Sequence, residues 1–191
     1  MKKIIAIVLV VVVAAVAVFA LTSNKAPEAS ATPYEGTLED LTNALYEANP
    51  VEFMVGPAME IDLTDAYAVN SYLGLGEIVE DENGEAAPAE DVGIAKATWS
   101  ESMLGAQPYS LVLAKVSEGA DIEAIKNAMF NGINTRKWIC VEADQLRVVS
   151  AADVIMLVMA GSEFAPGLAD GMVDAFAANV GELSGETLAR G

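Results

Sequence analysis

The spacing of apolar residues changes several times along the chain, and each change marks an element. Ile4 to Leu21 (IIAIVLVVVVAAVAVFAL) is apolar without a break and follows Lys2 and Lys3. At about 1.5 Å rise per residue the run spans about 27 Å, close to the ~30 Å hydrocarbon core of a bilayer. Residues 1–22 therefore predict a single N-terminal transmembrane helix. Two fates stand open for it. It is an uncleaved signal anchor, or a secretion signal cut after Val18-Phe19-Ala20 or Ala29-Ser30-Ala31. The run exceeds the ~7–15 apolar residues of a usual cleaved signal, which favours the anchor. Either way, the paired lysines hold the N-terminus in the cytoplasm and send the rest across.

Residues 23–36 read as a flexible stalk, because Thr22 to Pro33 is rich in Ser, Ala, Thr and Pro and has no apolar period. Residues 37–191 form the exported domain. Its first part, 37–92, is acidic, helical and loop-rich. Thr37 can cap a helix with Asp40 at the third helical position, and Leu38, Leu41 and Leu45 give it one apolar stripe. Asn49-Pro50 ends that helix. Val51, Phe53 and Val55 alternate as in a short strand, and Thr64 and Asp65 can start a short helix through Tyr72. Val79 to Val92 (VEDENGEAAPAEDV) is an acidic loop with Asn83-Gly84 and Pro88 as turn markers.

The second part, 93–183, alternates in a different way. Ile94 to Trp99 and Tyr109 to Val116 (YSLVLAKV) read as strands with a wide connection. Asp121 caps a helix striped by Ile122, Ile125, Met129 and Ile133. Lys137 to Val141 (KWICV) fits a short strand or a turn equally well. Gln145 to Ser150 and Val154 to Ala160 form a hairpin across Ala151, Ala152 and Asp153. A last helix follows Pro166, with Leu168, Met172, Phe176 and Val180 four apart, and Gly181 and Gly185 loosen the tail. The order ββαββα predicts an α+β fold: an antiparallel sheet of about four strands, in two hairpins, with helices packed on one face.

Composition narrows the function. The chain carries 28 acids, 10 bases and no histidine, for a net charge of −18. Such a surface repels phosphate backbones, so no nucleic-acid partner is expected. Lacking histidine, the chain can build neither a His-based triad nor a His metal site, and its lone Cys140 allows no thiolate cluster. The acids are unevenly placed: 16 of them and no base lie between Lys25 and Lys96. They solubilise the domain or offer a face to a cationic partner.

Each candidate site has a plain structural reading beside it. Asp81, Asn83 and Glu85 match only the opening of a calcium loop, without the spacing or terminal glutamate of an EF-hand. They are candidates for weak divalent-cation binding, against the plainer reading of a solvated turn, and no other cofactor is expected. Ser110 and Lys115 sit five apart on one strand, on opposite faces, so they cannot form a dyad, and there is no GxSxG elbow. Cys140, between Ile139 and Val141, reads as a small core residue. Trp99, Tyr109 and Trp138 are the candidate interaction residues, although core positions are commoner for such side chains. No catalytic residue is expected.

From Ser100 to Ala160 the chain, through Pro108-Tyr109-Ser110 and Lys137-Trp138-Ile139-Cys140, resembles an uncharacterised family of small exported proteins of Gram-positive anaerobes, often membrane-anchored lipoproteins. The resemblance implies an extracytoplasmic domain and carries over no catalytic residue. No lipid-bearing cysteine lies near Leu21. The expected function is thus a membrane-tethered, non-catalytic domain of the cell envelope, held by residues 4–21 or secreted after cleavage. It would bind an envelope protein, a wall component or a cation. The alternative is an exported hydrolase that acts on peptide or glycan through Ser/Lys or carboxylates.

Overall fold

Val154–Ala160 (VIMLVMA) is buried at every position, which is possible only for a strand covered on both faces. In the computed structural model, which describes residues 32–76 and 92–191, this strand lies at the centre of one six-stranded antiparallel sheet. The strands are β1 (Met59–Glu60), β2 (Ile94–Glu101), β3 (Tyr109–Val116), β4 (Gln145–Ala151), β5 (Val154–Ala160) and β6 (Ser184–Arg190). Their order in the sheet is β1-β2-β3-β5-β4-β6.

The helices form where local signals start them. Thr37 Oγ1 accepts the Asp40 N–H at 3.0 Å and opens α1 (Leu38–Ala48). Asp65 caps α2 (Ala66–Ala68), which widens into a π-helical turn, Val69–Leu73, stopped by Gly74 at φ 66°. Asp121 caps α3 (Ile122–Gly132), and α4 spans Leu168–Val180. A Cβ on Gly132 would collide with the Gly74 carbonyl, so the π-helical turn and the end of α3 can meet only as glycines.

Alternation along the strands divides the core in two. On one face Ile155, Leu157 and Met159 of β5 join Val112, Ala114 and Val148 beneath α3 and the π-helical turn. On the other face Met156, Val158 and Val149 pack under α1 and α4, against Leu41, Leu45, Met172 and Phe176.

Three expectations are corrected. The sheet has six strands rather than four, because the tail from Ser184 pairs with β4 and Met59–Glu60 pairs with β2. Helices cover both faces rather than one, since β3 and β5 are apolar on both sides and would otherwise expose half their side chains. Val51 to Val55 is not a strand; only Val55 bridges, to Ser102. Lys137 to Val141, which fitted a strand or a turn, is a loop. No helix among the described residues is long and apolar enough to cross a membrane; the expected transmembrane helix, residues 4–21, lies outside them. So do Asp81, Asn83 and Glu85.

The two ends of the sheet differ. At the β4–β5 turn, the Tyr34 N–H donates to Asp153 Oδ1 at 2.7 Å and Lys115 Nζ donates to the Tyr34 carbonyl at 2.7 Å. The chain therefore joins the sheet at that end. At the opposite end β2 and β5 finish, β3 and β4 begin, and their connecting loops gather.

Candidate functional site

The end of the sheet away from Tyr34 brings charged, nucleophilic and aromatic groups together. Strand pairing sets Glu101 of β2 opposite Ser110 of β3, side by side on the α3 face. The α3–β4 loop, closed by a 3.0 Å bond from the Ala143 N–H to the Thr135 carbonyl, drives Lys137 down between them. Lys137 Nζ pairs with Glu101 Oε1 and donates to Ser110 Oγ at 3.2 Å. Tyr72, carried by the π-helical turn, stacks on Trp99 with centroids 4.5 Å apart and planes 15° apart. The ammonium sits 4.8 Å from the Tyr72 centroid and 5.4 Å from that of Trp138, so two rings and one carboxylate surround it.

Burial pulls the Lys137 ammonium below its ordinary value, while Glu101 beside it resists the shift. The Tyr72 hydroxyl is pushed up, first by burial and then by the Glu101 charge. The contact has the elements of a Ser-Lys dyad, but its geometry is closed. Ser110 is 0% exposed, leaving the hydroxyl no surface to offer a substrate, and Lys137 donates to it as one half of an ion pair. A general base would have to be neutral and accept that proton.

The other face of the same end is aromatic. Phe53 meets Tyr109 edge-on at 5.3 Å and Phe164 at 4.7 Å. Ser100 Oγ donates to the Gly56 carbonyl at 2.7 Å and lies 2.8 Å from the Tyr46 hydroxyl. Burial holds the Tyr109 hydroxyl well above its ordinary value.

No family model, curated protein or solved structure matches the chain. What the site can do must come from its own geometry.

Trp99, Tyr109 and Trp138 are gathered at this one end. Tyr109 is wholly interior; Trp138 is half-buried beside Lys137, and Trp99 is half-buried against Tyr72. Lys115 lies at the opposite end, bound to Asp153 at 3.4 Å. Among the described residues no three His, Cys, Asp or Glu side chains are placed to share a metal ion. Sequence reasoning missed the joining of Glu101, Ser110 and Lys137, whose only local signal is a lysine inside the apolar word KWIC.

Cys140 is a further correction: it is exposed, not core. Lys137 points inward and Ala143 is buried, so the turn between them faces solvent, and Ile139 is 98% exposed. Maleimide is expected to label native Cys140 as fast as the denatured chain, read by mass spectrometry. Slow native labelling would place the thiol inside.

Proposed function

We propose that the chain is a membrane-tethered, non-catalytic domain of the cell envelope, which binds a protein or wall component outside the cytoplasm. The tether is the apolar run Ile4 to Leu21, followed by the Ser/Ala/Pro-rich segment, and secretion after cleavage is its variant. One observation carries the non-catalytic reading: Ser110, which Lys137 contacts, is itself fully buried, 0% exposed. A nucleophile must reach the carbonyl or glycosidic carbon it attacks, and the Ser110 side chain has no exposed surface from which to do so. Its work is to pin the α3–β4 loop to the sheet and present that loop to solvent.

The 3.2 Å Ser110–Lys137 distance favours a second reading, an exported Ser/Lys hydrolase whose loop opens for substrate. A fluorophosphonate probe separates the two. The full chain in its native membrane is expected to stay unlabelled. Labelling that Ser110→Ala abolishes would establish the hydrolase.

A further inference from the structure

We propose that the end of the sheet away from Tyr34 docks an amphipathic basic polypeptide segment. The segment's apolar side chains would rest on Met54, Met103, Leu104 and Ile139, and its cations would face the carboxylates around them. The proposal rests on the binding-domain reading above and gives that partner its chemistry.

Single exposed apolar side chains are ordinary on a protein surface; a group of them at one place is not. Met54 is 62% exposed, Met103 64%, Leu104 50% and Ile139 98%. These are four of the six large hydrophobic side chains exposed among the described residues, and all four lie in the loops at one end. They are mounted on fixed backbone. The Met103 N–H donates to the Met54 carbonyl at 3.0 Å, and the Gln107 N–H to the Leu104 carbonyl at 2.9 Å. Ile139 follows Lys137 by two residues, so the ion pair with Glu101 that buries the lysine also holds the isoleucine outward. A surface held in place before binding loses little entropy on binding, and methionine adapts to varied apolar partners.

The charge around these residues selects the partner. Glu47, Glu52, Glu142, Asp144 and Glu163 are exposed in the same loops and helix ends. Of the two exposed bases at this end, Arg136 is engaged by Glu142 at 3.5 Å, and Arg190 lies 5.0 Å from the Phe130 ring. A second copy of this acidic chain would bring the same carboxylates to the contact, and an anionic membrane would be repelled as well. A helix with an apolar stripe and lysines or arginines beside it satisfies both parts of the surface.

The test uses the full chain in detergent micelles and two fluorescent peptides. One carries Leu and Lys at amphipathic helical spacing; the other has Glu in place of Lys. Fluorescence anisotropy is expected to show the Leu/Lys peptide binding at least about tenfold more tightly. Leu104→Asp with Ile139→Asp should weaken it by about tenfold or more while leaving the thermal midpoint unchanged, because neither side chain belongs to the core. The two substitutions add negative charge, so attraction by charge alone would strengthen the binding instead. Unchanged or tighter binding by that variant, or equal binding of the two peptides, overturns the proposal. A dimer of the full chain in sedimentation that the same variant breaks would overturn it too, giving the surface to a second copy. None of these failures touches the non-catalytic reading, which the fluorophosphonate experiment decides separately.

Discussion

Met156→Ala and Leu157→Ala, adjacent on β5, are each expected to lower the unfolding free energy by about 2–5 kcal/mol. Both side chains are 0% exposed, but they point to opposite faces of the sheet. Leu157 packs beneath α3 and the π-helical turn, and Met156 under α1 and α4. A cavity at either place loses both the transfer free energy and the contacts of its lining. A sheet covered on one face would respond differently: one of the two substitutions would sit at a solvated position and stay within about 0.5 kcal/mol. Urea denaturation of the two variants measures the difference directly. A silent Met156→Ala would mean that α1 and α4 do not cover the sheet. Since small domains hold only about 5–15 kcal/mol in total, the double variant should be close to unfolded.

Lys137→Met should lower stability by about 3 kcal/mol, although methionine keeps most of the side-chain volume. Lys137 and Glu101 are 14% and 18% exposed, so the substitution strands a carboxylate that water reaches poorly. It also removes the cation from between the Tyr72 and Trp138 rings. The loop it pinned should then open, and protease should cut near Ile139 in the native state. Adding Glu101→Gln to Lys137→Met should recover part of the loss, because the stranded charge is gone; no recovery would assign the effect to packing alone. The pH dependence has a definite sign. The folded ammonium titrates below its ordinary value, so between the two values the unfolded chain keeps a proton that the folded chain has released. Wild-type stability therefore gains with rising pH across that window relative to Lys137→Met, which lacks the gain.

Elements set by neighbours in sequence were readable before any tertiary contact was considered. Thr37 with Asp40, and Asp121 with the Ile125 and Met129 stripe, are complete helix signals within a few residues. The β4–β5 hairpin follows from two apolar runs separated by a short turn. The second covering layer was also written in the chain. VIMLVMA has no polar position to turn toward water, and that unbroken run, rather than the count of helices, was the signal for a strand covered on both sides.

Tertiary structure alone decided the remainder. The word SGETLAR has one large apolar residue and a glycine at φ 67°, too little local preference to mark a strand. It becomes β6 because β4 supplies its hydrogen-bonding partners and the buried Lys126 of α3 reaches the Ser184 carbonyl at 3.3 Å. The meeting of Lys137 with Ser110, 27 residues away, was likewise invisible, as was the outward turn of Ile139 and Cys140 that it imposes. The sequence by itself determined where helices begin, which strands are apolar and how acidic the domain is, since propensity, capping and charge act over a few residues. Which strands became neighbours, and which side chains they brought to one end of the sheet, was decided when distant segments closed over a shared core. That step is governed by the total surface buried, which no short stretch of sequence carries.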